Sequence, residues 1–112
     1  VLSASMATEA VHVRGFNVLY EPVTVTSYTA SAPSYIIGVQ NQNNVRIQIP
    51  SASIYGSGAL LIVKDEVAAR VGTNIILTGS GGYTFDNTPS YTLTGSNPAI
   101  SLYSNGANWF VF

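Results

Sequence analysis

The fold of this chain is decided by a short alternating stretch, Val45-Arg46-Ile47-Gln48-Ile49-Pro50. Successive side chains of a β-strand point to opposite faces, so the three aliphatic residues share one face and the arginine and glutamine share the other. The proline has no backbone N–H and a fixed φ, so it ends the strand. The stretch therefore predicts a half-buried strand over residues 45–49 with one face against a core.

Segments of the same kind recur along the whole chain. Short runs rich in Val, Ile, Thr, Tyr and Phe are separated by Gly, Asn, Pro and Ser, a pattern typical of strands and turns. The predicted strands cover residues 23–29, 35–39, 45–49, 59–64, 74–78, 83–85, 91–94, 99–103 and 108–112. Nine short strands predict an all-β fold, and we expect a small antiparallel β-sandwich of the jelly-roll type.

The segments between the strands give further expectations. Residues 60–63 are apolar throughout, which predicts a central strand covered on both sides. The polar residues 40–44 predict a hairpin loop, and residues 66–71 tolerate one helical turn. The first 14 residues alternate poorly, and we treat residues 1–27 as an N-terminal arm or attachment segment that either joins the sandwich or stays outside it. Residues 28–112 then form the β domain.

Composition excludes several classes of protein. The chain has 112 residues, no cysteine and nine charged residues, with a net charge of −1. About 28 charged residues would be typical of a soluble domain of this length. The small number of basic residues argues against nucleic-acid binding, and the missing cysteines exclude disulfides and thiolate metal sites. No apolar run is long enough to span a bilayer and no signal peptide is visible, so we expect no membrane insertion.

The residues needed for catalysis or metal binding are scarce. His12 is the single histidine, and although Asp65 or Asp86 could complete a triad with it, no serine lies in a nucleophile-elbow motif. A zinc site needs three or four ligands, which this set does not supply. We therefore expect no enzyme activity, no cofactor and no bound metal.

Two segments are candidate subunit contacts. Lys64, Asp65 and Glu66 form the densest charge cluster, which is either an ionic latch between subunits, a carboxylate cation site or a strand-end turn with local pairing. The run Trp109-Phe110-Val111-Phe112 places large apolar side chains on both faces of one strand, so a monomer would leave one pair exposed. This run predicts a surface that neighbouring copies cover.

A third candidate site is a platform of aromatic and amide side chains, formed by Tyr83, Tyr103, Asn105 and Asn108. Sugars stack on aromatic rings and bond to amides, so these residues are candidates for contact with a glycan or receptor. Tyrosines also fill β-sandwich cores, which is the alternative interpretation.

The order of several motifs resembles a module found in bacteriophage tail-fibre and tailspike proteins. The resemblance covers about residues 28–112. It is carried by Tyr35-Ile36-Ile37-Gly38-Val39, by Val45 to Ser53, by Gly56 to Glu66, by Thr73 to Leu77, by Gly81 to Asn87, by Tyr91-Thr92-Leu93 and by Ser101 to Val111. The chain departs from the family at Thr84-Phe85-Asp86-Asn87 and at Val67-Ala68-Ala69-Arg70. Family members are β-structured, commonly homotrimeric, and have no catalytic residues to transfer.

The resemblance implies a structural virion protein, a trimeric terminal module that stabilises a tail fibre or tailspike and contacts the host surface. Its partners would be further copies of itself, other virion proteins through the N-terminal side and a host-surface glycan. Its location would be the exterior of the phage tail or capsid. Two alternatives stay open, namely a trimeric capsid decoration or head-fibre protein and a lectin-like carbohydrate-binding module.

Overall fold

A computed structural model describes residues 18–31, 35–79 and 83–112 of the chain. His12 and most of the predicted N-terminal arm lie outside these ranges. The described residues form nine strands and one short helix. These are β1 (Tyr20–Val23), β2 (Ser27–Thr29), β3 (Ile36–Val39), β4 (Val45–Ile49), α1 (Ala52–Tyr55), β5 (Leu60–Asp65), β6 (Ile75–Gly79), β7 (Ser90–Leu93), β8 (Ala99–Ser104) and β9 (Trp109–Val111).

Within the described ranges the strands form two mixed sheets. The five-stranded sheet has the order β1-β3-β5-β8-β9 and the four-stranded sheet has the order β2-β4-β6-β7. Up to β6 the chain visits the two sheets alternately, so β1, β3 and β5 stack in parallel, and so do β2, β4 and β6. The first six strands therefore wind as a flattened coil of three turns, in the manner of a β-solenoid.

The last three strands close this coil by antiparallel pairing. β7 pairs with β6, β8 pairs with β5, and β9 pairs with β8. β5 is consequently the central strand of its sheet, as the apolar run predicts. The all-β fold is confirmed, but antiparallel pairing is wrong for four of the seven ladders between described strands, and the jelly-roll form is not confirmed. Alternation of apolar residues reports the buried face and carries no information on strand direction.

The core lies between the two sheets. Its fully buried side chains include Ile37, Leu61 and Leu102 from the five-stranded sheet and Ile47 and Leu77 from the four-stranded sheet. The predicted inner face of residues 45, 47 and 49 is confirmed, because all three are buried. Truncating one such side chain to alanine costs about 2–5 kcal/mol, since it leaves a cavity that the sheets cannot fill.

The loops between the sheets are organised by one buried ion pair. Arg70 Nε donates to Asp65 Oδ2 at 2.8 Å, and both side chains are fully buried. The same guanidinium donates to the backbone carbonyls of Asn41 and Asn43 and to the Thr73 hydroxyl. The predicted hairpin over residues 40–44 is wrong, because this loop wraps the guanidinium and carries the chain from one sheet to the other.

The two edges of the five-stranded sheet differ. The carbonyls of Leu19, just before β1, and of Val23 at its end accept from Ile36 N and Gln40 N. The backbone groups of the odd-numbered residues therefore bond to β3, and those of Pro22 point to the free edge. A proline there removes the N–H that a further strand would bond. At the other edge, Trp109 N donates to Thr84 O and Asp86 N donates to Trp109 O, so the loop 84–86 covers β9.

Local differences from the sequence-based expectation have clear causes. The strand predicted over 23–29 is two strands in different sheets, because the chain crosses between the sheets at the exposed residues 24–26. The helical turn lies at α1 and not at 66–71, where Asp65 Oδ1 accepts from Val67 N in an irregular turn. The described end of the N-terminal segment joins the sandwich, which is one of the two alternatives left open for residues 1–27, since β1 pairs with β3 and Val23 belongs to the core.

Candidate interaction face on the five-stranded sheet

The outer face of the five-stranded sheet carries large apolar side chains. Leu60 and Tyr103 lie opposite each other in register and are 49% and 40% exposed. The next row along the sheet brings Ile36, Ile62 and Ser101 together, with both isoleucines half-buried. A solvated sheet face normally carries polar side chains, so an apolar outer face indicates an interaction surface.

One end of this face is an aromatic ridge made of Tyr103, Phe110 and Phe112. The rings of Tyr103 and Phe110 stack with centroids 5.5 Å apart and an interplanar angle of 26°. Phe112 lies 5.8 Å from Tyr103, is 66% exposed, and donates its N–H to Ser101 O at 3.0 Å. The ridge is therefore held by ring contacts and by backbone pairing, which fixes its shape before any partner binds.

The other end of the face is an apolar groove of about 630 Å³. Ile36, Leu60 and Ile62 form its floor on β3 and β5. Val18, Tyr35, Tyr55 and the loop 57–59 also line it. The groove contains no charged side chain, so its occupant must be neutral where it touches the walls.

Tyr55 joins the groove to the core. Its ring packs edge-on against Trp109 with centroids 5.1 Å apart, and Trp109 Nε1 donates to Pro50 O at 3.0 Å. The Tyr55 hydroxyl is buried and, within the described ranges, has no hydrogen-bond partner. Burial, and to a smaller extent the neighbouring Tyr28 and Tyr35, raise the pKa of Tyr55 to about 12.

A small polar network borders the face beside β1. Glu66 Oε1 accepts from the Tyr20 hydroxyl at 2.7 Å and from Gln40 Nε2 at 2.9 Å. The hydrogen bond to Glu66 raises the pKa of the Tyr20 hydroxyl. Gly38 lies directly beneath, and a Cβ there would overlap the Glu66 carboxylate. The carboxylate therefore occupies space that only glycine leaves open.

The charge cluster at residues 64–66 is bonded within the chain. Lys64 donates to Asn97 O, Asp65 pairs with Arg70, and Glu66 belongs to the polar network. Burial raises the pKa of the Asp65 carboxyl, but hydrogen bonds from Arg70 and the Val67 N–H, with the charge of Arg70, outweigh burial and leave it below its usual value. The local-pairing interpretation therefore describes Asp65, which lies in the interior and not at a subunit interface.

The C-terminal run divides between the two faces of β9. Trp109 is fully buried, which places it in the core and not on an interface. Val111 is half-buried and packs against the core. Phe110 and Phe112 belong to the ridge, where Phe112 is exposed and Phe110 is half-buried, so only one ring of this pair is left largely uncovered by the chain.

The predicted aromatic and amide platform is spread over different parts of the fold. The Tyr83 hydroxyl donates to Ile49 O at the end of the four-stranded sheet, whereas Tyr103 lies on the outer face of the five-stranded sheet. Asn105 Oδ1 accepts from the backbone of residues 107 and 108, and Asn108 Oδ1 accepts from Thr84 N. Both residues lie in the loop between β8 and β9, and both side-chain amide oxygens accept hydrogen bonds from the chain's own backbone.

The described residues contain no cluster of three or more His, Cys, Asp or Glu side chains that could hold a metal ion. Asp86, one of the two triad candidates, accepts from Val111 N and has a φ of +50°. Its role is to shape the turn that covers β9. Asp65 is bonded to Arg70, and His12 lies outside the described residues.

Sequence analysis missed the groove. Part of its floor belongs to the apolar run over residues 60–63, from which the sequence predicts a strand covered on both sides. Leu61 and Val63 are covered by the core, but Leu60 is not. No sequence pattern predicts that Tyr55 lines the groove, because its position beside Leu60 depends on the helix α1 and on the core contact with Trp109.

Comparison of the chain with protein-family models, with curated proteins and with solved structures finds no match in any of the three. Among the described residues, no helix is long and apolar enough to cross a lipid bilayer.

Proposed function

We propose that the chain is a structural virion protein of a bacteriophage, a trimeric terminal module of a tail fibre or tailspike. In this proposal the outer face of the five-stranded sheet is the surface between subunits. The single observation that carries the assembly is the apolar character of this face, from the groove across Leu60 to the aromatic ridge. The assignment to a phage fibre rests on the sequence resemblance over residues 28–112.

Charge supports the same interpretation. Identical copies approach each other with equal charge, and a net charge of −1 leaves little repulsion between them. Lys64 and Glu66 lie beside the face, while the ridge and the groove carry no charge. A central apolar patch with polar groups at its border is the usual anatomy of a protein interface.

The experiment is a native mass measurement on the intact protein at micromolar concentration. We expect a species near three times the chain mass of 11.8 kDa. A single species near 11.8 kDa would overturn the assembly, and with it the proposed function. Truncation after Asn108 removes Phe110 and Phe112 and is expected to dissociate the trimer, although it also removes Trp109 from the core.

A trimeric capsid decoration protein would use the same face in the same way. Labelling the protein on intact virions and locating it by electron microscopy separates the two, because fibre tips lie far from the capsid shell. The lectin-like alternative has less support, since the oxygens of Asn105 and Asn108 are already bonded within the chain.

A further inference from the structure

The ridge and the groove lie on the same face but over different strands. The ridge belongs to β8, β9 and the residue that follows β9, while the groove lies over β3 and β5. Leu60 separates them, because it lines the groove and lies opposite Tyr103 in register. One chain therefore presents a protruding aromatic patch and a concave apolar patch side by side.

We propose that the aromatic ridge of one copy docks into the apolar groove of the next copy, with Phe112 as the inserted side chain. This inference rests on the proposed trimer and specifies how it closes. It assigns the groove to a second copy of this chain and makes the contact directional, from the ridge of each copy to the groove of its neighbour.

Symmetry supports a directional contact. A two-fold interface places the same patch of both copies together, whereas a ring of three requires two different, complementary patches on each copy. When three copies turn one face toward a common axis, one side of that face meets the next copy and the other side meets the previous copy. The ridge lies over β8 and β9 and the groove lies over β3 and β5, so they occupy the two sides of the face, as this arrangement requires.

The chemistry of the two patches also matches. Phe112 is an uncharged ring that is 66% exposed, and the groove has an apolar floor built from Ile36, Leu60 and Ile62 with no charged side chain in its lining. A volume of about 630 Å³ falls within the range of clefts that enclose small organic ligands, roughly 300–1,000 Å³. An aromatic side chain held in place by its neighbours loses little conformational freedom when it docks, which favours the ridge as the inserted element.

Disulfide trapping tests the contact in the full chain, which has no cysteine of its own. The variant carries Ile36→Cys in the groove and Phe112→Cys in the ridge. Within one chain these positions are three strand spacings apart, about 14 Å, which exceeds the Cα separation of about 7 Å that a disulfide can bridge. Any bond between them therefore joins two copies.

After mild oxidation we expect a covalent trimer on a denaturing, non-reducing gel, and monomers from each single-cysteine variant. The matched control pairs Phe112→Cys with Thr92→Cys, which lies on the outer face of the four-stranded sheet and should give no covalent trimer. A native trimer without cross-linking would overturn the directional contact and leave the proposed trimer intact. A native monomer would overturn both, and a covalent dimer from Phe112→Cys alone would show a two-fold contact instead.

A second measurement covers the case in which Ile36→Cys fails to fold. Leu60→Lys blocks the groove and leaves the ridge, whereas Phe112→Lys blocks the ridge and leaves the groove. An equimolar mixture should form a dimer of one copy of each, because one intact ridge still meets one intact groove but the ring cannot close. Monomers alone in the mixture, with both variants folded by circular dichroism, would overturn the inference.

Discussion

The outer faces of the two sheets cover the same core yet differ in character. In the four-stranded sheet one row brings together Thr29, Gln48, Thr78 and Ser90, and the next row Ser27, Arg46, Ile76 and Thr92. In the five-stranded sheet the corresponding rows carry Ile36 with Ile62, and Leu60 with Tyr103 and Phe110. The difference shows that alternation along a strand locates the core, while the composition of the outward residues shows which face needs a partner.

The largest expected loss of stability comes from Arg70→Ala, because it removes the hydrogen bonds that organise the loops between the two sheets. It leaves the Asp65 carboxylate buried without its partner, and removing one member of a buried pair costs about 3–5 kcal/mol. The free energy of unfolding, measured by urea titration, should fall by this amount. The stability of Arg70→Lys should lie between those of the natural chain and Arg70→Ala, because lysine keeps the charge but loses the guanidinium fork that bonds the carbonyls of Asn41 and Asn43. Equal stability of all three proteins would contradict the role of Arg70.

The next effect compares the two outer faces directly. Leu60→Lys should weaken assembly by about 3 kcal/mol per chain, the upper value for a large apolar side chain, because the lysine must also lose water. Ile76→Lys changes a half-buried aliphatic residue on the middle of the polar face and should leave assembly intact. Light scattering during gel filtration at micromolar concentration gives both masses. The same assembled mass for both variants would contradict the proposal that only the outer face of the five-stranded sheet is an interaction surface.

A smaller effect is expected from pH acting on Asp65. Its pKa is below the usual value of about 3.9 in the folded chain, so the ionised form stabilises the fold. This contribution is complete above about pH 4 to 5 and is lost as pH falls through the lower folded pKa. Asp65→Asn should therefore be less stable than the natural chain by about 2 kcal/mol at pH 7, and the gap should narrow below pH 4. A gap that stays constant between pH 7 and pH 2.5 would contradict the pKa shift.

The smallest change in stability is expected from a substitution in the lining of the groove. Tyr55→Phe removes a buried hydroxyl that has no hydrogen-bond partner among the described residues, so the free energy of unfolding should stay equal or rise by up to about 1 kcal/mol. The matched control is Tyr20→Phe, which loses the hydrogen bond to Glu66 and should be slightly less stable. A loss of stability in Tyr55→Phe would mean that its hydroxyl is bonded in solution.

Sequence alone predicted the elements whose character is local. The bounds of β4 are those expected from Val45 and Pro50, and the alternation along residues 45–49 is confirmed by the burial of its three aliphatic side chains. The central position of β5 also followed from its apolar run. These features depend on neighbouring residues along one strand, and strand periodicity reports them directly.

Sequence could not predict features that depend on distant partners. The loop 40–44 crosses between sheets because Arg70, 27 to 29 residues further on, bonds its carbonyls. The groove brings together Val18, Ile36 and Leu60, and no local pattern reports their proximity. The alternation of the C-terminal run places Phe110 and Phe112 on one face of β9, but no local pattern predicts their contacts with Tyr103.

The central position of β5 has a consequence for synthesis. Its parallel partner β3 precedes it in the chain, so one edge can pair as soon as residues 60–65 leave the ribosome. Its other edge pairs with β8, which begins at Ala99, 34 residues after Asp65. At about 5–20 residues per second the ribosome needs about 2–7 s to supply that partner. During this interval an apolar strand has an unpaired edge, which another chain could pair with and which is therefore a site for aggregation during synthesis.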